Sequence, residues 1–108
     1  EIGEIDKKSY TKWLNYDKIE CGLQIRTRTA GDYLTVDDKG HTKKLKENFI
    51  NEKVPKEMRD TMLLLADGSH VIWAVGQRIS ADYKIDENTK KILEVHFFGG
   101  NYHESKEY

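Results

Sequence analysis

LLLADGSHVIWAV, residues 63–75, holds the two most apolar runs of the chain on either side of a turn triplet. Residues 63–66 and 71–75 are short and apolar, and Asp67, Gly68 and Ser69 between them are turn formers, so the stretch reads as a β-hairpin. Gly76 ends its second strand. Downstream, residues 78–83 read as a short irregular or extended piece, and residues 91–97, with Ile92, Leu93, Val95 and Phe97, as a last strand. Upstream, Pro55 suits the first turn of a short helix over 55–61, because its missing N–H would be unpaired there anyway. Val54 before it avoids the helical region and ends an earlier helix. That earlier helix is expected over 43–52, with Thr42 as its N-cap and Leu45, Phe49 and Ile50 facing the core. Residues 37–40 and 30–32 read as turns. Residues 23–28 alternate, placing Leu23, Ile25 and Thr27 on a buried face and Arg26 and Arg28 side by side on an exposed one. Residues 10–16, with Tyr10, Trp13, Leu14 and Tyr16, suit a short strand. The order is strand, strand, helix, helix, strand, strand, strand. It predicts an α+β fold: a mostly antiparallel β-sheet or sandwich with two short helices in the middle of the chain.

A length of 108 residues allows one hydrophobic core and not two, so residues 1–108 are expected to be a single domain. The ordered core is expected over about 10–97, with residues 1–8 and 99–108 flexible. Hydrophobic residues are only 37%, but 10% aromatics argue against disorder. No run approaches the ~18 apolar residues of a membrane span. Cys21 is the single cysteine, so no internal disulfide or cysteine-cluster metal site is expected, which suits a reducing cytoplasm. The chain begins with Glu1 rather than Met, the expectation being a piece of a longer protein. The net charge of −1 hides an asymmetry. Residues 39–59 carry seven basic and three acidic side chains, whereas residues 60–108 carry five and eight. A basic segment of this kind is either a polyanion footprint or a solvated helix face.

Catalytic chemistry leaves little trace. His41, His70, His96 and His103 show no HxxxH or HExxH spacing, so no metal site is expected. Cys21 lacks any signalled base and reads as a plain small side chain. Gly31, Gly40, Gly68 and Gly76 are isolated turn glycines and make no P-loop or GxGxxG, so no nucleotide cofactor is expected in this chain. Asp32, Asp60, Asp67 and Asp82 sit at turns or helix ends, where aspartate is expected for its hydrogen bonds.

Five words in order are more specific than composition: LQIRTRTAGDY (23–33), KKLK (43–46), KVPKEMRD (53–60), LLADG (64–68) and IWAVGQRIS (72–80). With this pattern the chain, over about residues 10–97, resembles the C-terminal domain of bacterial tRNA(Ile)-lysidine synthetase. The resemblance implies a part in an ATP-dependent ligase. That enzyme adenylates the wobble cytidine of tRNA(Ile) with a CAU anticodon, and lysine then displaces AMP to form lysidine. It also implies that ATP and lysine are used by an N-terminal catalytic domain bearing a Ser-Gly-Gly-x-Asp-Ser loop. No such loop occurs here, so this domain is expected to be catalytically inert and to recognise tRNA toward the acceptor stem. The partners implied are that tRNA and the catalytic domain, with no membrane and no DNA, and an oligomer left open.

RNA stems are held mostly through phosphates and 2′-hydroxyls. Arg26, Arg28, Lys43, Lys44, Lys46 and Arg78 are the expected RNA contacts, the lysines aided by the dipole at a helix start. Each has a structural alternative: Arg26 or Arg28 pairing with Asp32, Arg59 with Asp60 or Asp82, Arg78 with buried carbonyls. Trp73, in an apolar strand, is expected in the core, whereas Trp13 is left open as a stacking platform for single-stranded RNA. Two other classes compete. A docking module for a neighbouring domain would show an apolar exposed patch, and a small hydrolase would join His70 or His96 to a carboxylate in a pocket.

Overall fold

Leu64–Asp67 and His70–Ala74 form the expected hairpin, closed by Gly68 and Ser69, with Gly68 at φ 65° in the left-handed region that a two-residue turn requires. The computed structural model describes residues 10–98. The expected flexible ends at 1–8 and 99–108, and His103, lie outside the described residues. In chain order the strands are β1 (Tyr10–Asn15), β2 (Leu23–Arg26), β3 (Tyr33–Thr35), β4 (Thr42–Lys44), β5 (Leu64–Asp67), β6 (His70–Ala74) and β7 (Ile92–Phe97). Two helices, α1 (Leu45–Asn51) and α2 (Lys56–Arg59), separate β4 from β5. Single 3-10 turns occupy Tyr16–Lys18 and Ala81–Tyr83.

The five-stranded sheet runs β2-β5-β6-β3-β4, and β1 and β7 pair antiparallel as a separate ribbon. All neighbours in the sheet are antiparallel except β3 and β6, which meet in parallel at Tyr33 and His70. Because β5 and β6 are apolar on both faces, both faces need cover. On one, Leu45 and Phe49 of α1, with Val54, pack on Leu64, Val71 and Ala74. On the other, the ribbon brings Leu14, Leu93, Val95 and Phe97 against Leu65, Ile72, Trp73 and Tyr83. A bulge makes this possible. Leu65 faces Trp73 but Ala66 faces Val71, leaving Ile72 as the extra residue, whose carbonyl accepts the Ser80 N–H at 2.8 Å. The α+β expectation is met, with α1 on one face of the sheet and the ribbon on the other.

Each departure from the expected elements has a physical cause. Thr42 is not a helix cap: residues 42–44 extend to pair with β3, Thr42 opposite Thr35 and Lys44 opposite Tyr33. The helix therefore starts at Leu45, whose N–H is taken by the Asp32 carbonyl at 2.9 Å. Ile50 faces solvent at 52% exposure, since Leu45 and Phe49, one turn apart, already fill the sheet-facing stripe. Lys53 stands at φ 59° after α1. Its N–H reaches the Ile50 carbonyl and that of Val54 the Phe49 carbonyl, closing the helix as a Schellman motif before Pro55. The phase expected for residues 23–28 is reversed. Ile25 is 73% exposed while the Arg26 side chain is only 20% exposed. β2 is an edge strand, and a buried carboxylate, not the hydrophobic core, draws its inner residue. Among the described residues no helix is long and apolar enough to cross a membrane.

Candidate nucleic-acid interface

The basic side chains are organised by the loop between β2 and β3. Asp32 is buried there, its side chain 1% exposed. Its carboxylate accepts both Arg26 terminal nitrogens at 2.9 Å, the Thr29 N–H at 2.8 Å and the Thr29 hydroxyl at 3.2 Å. Burial alone would raise its pKa, but the guanidinium and the Thr29 N–H more than reverse this and hold it below the usual carboxylate range. Arg26 also donates to the Gly68 carbonyl at 2.8 Å, tying the loop to the central hairpin. Since the Asp32 carbonyl receives the first N–H of α1, one residue fixes the β2–β3 loop against the β4–α1 step. The expected exposure of Arg26 is thus corrected: its guanidinium is committed to Asp32, and it is a positioning group.

Arg28, two residues on, lies on the rim. Its Nε donates to Asp60 at 2.8 Å, and Asp60 is 79% exposed. Its guanidinium also stands 5.9 Å from the centroid of the Phe49 ring. Arg28, Lys44 and Lys46 line one open depression of about 480 Å³, with Asp60 the exposed acid among them. Lys44 and Lys46 are exposed, and Lys43 is half-buried. Strand alternation turns Lys43 to the opposite face of β4 from Lys44. The lysines therefore do not share a helix start as expected. Lys43 and Lys44 belong to an edge strand, and only Lys46 lies within α1. Arg78 is elsewhere, lining a second cleft with Lys12 and Lys84. So the structure gathers three of the six expected residues, holds Arg26 behind them, and sets Lys43 and Arg78 apart. Sequence reasoning passes over Lys12 and Lys84. The signal for Lys12 is its phase, between Tyr10 and Leu14 on the inward face of β1, where an apolar residue belongs.

Asp67 plays the role of Asp32 on the other side. It accepts the Glu20 and Cys21 N–H groups at 2.9 and 2.6 Å and the Tyr83 hydroxyl at 2.8 Å. Burial would raise its pKa, and these donors bring it below the usual range. The expected pairing of Arg59 with an aspartate is replaced by a bond to the Val54 carbonyl at 2.9 Å. His70 stacks on Tyr33 with centroids 4.6 Å apart, and its Nε2 meets the Thr35 hydroxyl at 3.0 Å rather than a carboxylate. Burial lowers its pKa, leaving it neutral at pH 7. His96 meets Glu94 on the surface. Trp73 is buried as expected, its indole N–H on the Gln77 carbonyl at 2.9 Å. Trp13 is 52% exposed and bonded to Glu94 at 3.0 Å.

Comparison with known proteins agrees with this fold. The TilS substrate C-terminal domain family matches residues 23–96. The tRNA(Ile)-lysidine synthase of Caldanaerobacter subterraneus subsp. tengcongensis is 39% identical over 97 residues, which is 90% of this chain and 21% of that protein. That of Clostridium tetani is 39% identical over 93 residues, 86% of this chain and 20% of that protein. The chain thus spans about a fifth of the length of the curated relatives it matches. The crystal structure of a TilS C-terminal domain superposes with a TM-score of 0.64 at 28% identity, covering 91% of this chain and 73% of that one. The chain belongs to the TilS substrate C-terminal domain family.

Proposed function

We propose that this chain is a tRNA-binding part of a cytoplasmic tRNA(Ile)-lysidine synthase. It holds the acceptor-stem side of tRNA(Ile) with a CAU anticodon while a catalytic part outside the chain makes lysidine. The observation that carries the reading is the convergence of Arg28, Lys44 and Lys46 on one depression, beside a loop clamped by Arg26 and Asp32. A duplex backbone needs cations on rigid supports and little else, because phosphate contacts position without reading sequence. The Arg28–Asp60 pair does not obstruct this. A solvent-exposed ion pair is worth at most about 1 kcal/mol, so the guanidinium exchanges a carboxylate for a phosphate at small cost. Arg26 contributes by holding the loop, Lys43 from the other face of the strand, and Arg78 from the second cleft. On this reading ATP and lysine are handled by the catalytic part, and this domain needs no cofactor of its own.

The test is tRNA binding by the full-length synthase against salt concentration. Lys43, Lys44 and Lys46 changed together to Ala should weaken binding at low salt and leave thermal stability nearly unchanged. For every phosphate no longer neutralised, the log–log salt dependence should flatten by roughly 0.7 to 0.9. An unchanged slope and affinity in the folded triple variant would refute the reading.

A further inference from the structure

Lys12 occupies a position where its strand calls for an apolar residue. Tyr10, Lys12 and Leu14 share one face of β1 by alternation, and Tyr10 and Leu14 pack in the core beneath the ribbon. An ammonium there is out of place without a partner. Among the described residues no carboxylate pairs with Lys12, Arg78 or Lys84. All three instead line a cleft of about 260 Å³, together with Asn48 and Glu52 of the α1 end. They come from three separate segments: β1, the loop after β6, and the residue following the Ala81–Tyr83 turn. Glu52 is the one carboxylate lining the cleft among the described residues, so its formal charge is a surplus of two positive.

Concavity and charge specify the ligand. A phosphomonoester carries about −1.5 to −2 charge at pH 7 and three acceptor oxygens. It matches two ammoniums, a guanidinium fork and an amide better than a duplex phosphodiester does, which carries a single charge on a convex ridge. The open depression at Arg28, Lys44 and Lys46 suits the diester. We infer that the Lys12–Arg78–Lys84 cleft binds a terminal phosphomonoester, that of the 5′ end of the RNA. This rests on the tRNA reading above. The two sites flank α1. Lys46 and Glu52 are separated by about 9 Å of helical rise and about a third of a turn, and on this inference one RNA stem meets the depression with its backbone and the cleft with its end.

One acceptor-stem hairpin RNA, prepared with a 5′-monophosphate and with a 5′-hydroxyl, is titrated into the full-length synthase at low salt. The phosphorylated form should bind about tenfold more tightly. Lys12→Gln and Arg78→Gln, each confirmed as folded by circular dichroism, should erase that difference, while Lys44→Ala with Lys46→Ala should weaken both RNAs equally. Equal affinities in the unaltered synthase overturn the inference and leave the tRNA reading standing. Equal RNA affinities together with saturable binding of inorganic phosphate at Lys12 would mean a site for small phosphates, and also overturn it. If neither RNA binds, the tRNA reading and this inference fall together.

Discussion

Arg26 and Arg28 stand two residues apart, each with an aspartate at bonding distance, yet they belong to different parts of the molecule. The Asp32 side chain that holds Arg26 is 1% exposed and also accepts the N–H and hydroxyl of Thr29. The Asp60 side chain that holds Arg28 is 79% exposed and, among the described residues, accepts from Arg28 alone. The same pair of residue types therefore makes a clamp in one place and an exchangeable contact in the other. Partner burial decides which: an unpaired charge in the interior is expensive, and one at the surface is hydrated at once.

The largest test of this contrast is Arg26→Ala, which strands the Asp32 carboxylate in the interior. It should cost about 3–5 kcal/mol of stability, read as a lower urea midpoint. A loss below about 1 kcal/mol would abolish the contrast. Next comes acid. The Asp32 and Asp67 pKa values lie below the ordinary 3.8 in the folded protein. Their contribution is therefore complete above that ordinary value and is lost as pH falls through the folded values. Far-ultraviolet circular dichroism should report unfolding only below about pH 4, and Asp32→Asn should shallow that acid limb. Smaller again is Arg28→Ala, which should change stability by no more than about 1 kcal/mol while weakening tRNA binding severalfold. A large stability loss would make Arg28 a second clamp. The smallest effect is that of Asp60→Asn, which releases the Arg28 guanidinium. It should leave the melting temperature nearly unchanged and tighten tRNA binding slightly at low salt; weaker binding would count against the rim assignment.

Much of this architecture is legible in one dimension because its causes are local. The hairpin at 64–74 announces itself by apolar runs around Gly68, and the stop after α1 by Val54 and Pro55. Where sequence reading fails, a distant partner overrides a local preference. Thr42, Lys43 and Lys44 have the chemistry of a helix entry, but β3 offers them a ladder, and the backbone of Asp32, far upstream, receives the first N–H of the helix. Alternation at 23–28 is visible in the sequence, but hydrophobicity points its inward side the wrong way, because a buried carboxylate reverses it. The basic residues stand out in the sequence as a set. Their division between the Arg28 depression and the Lys12 cleft depends on how the ribbon, β4 and α1 meet.

From the amino-acid order alone follow the central hairpin, the two short helices in the middle of the chain and the words that mark the family, since propensity, turn chemistry and periodicity act over a few residues. Which arginine is locked and which makes an exchangeable contact, and which lysines share a surface, came only with the folded chain. Charges interact through space and through the local dielectric, and neither distance nor burial is written in sequence separation.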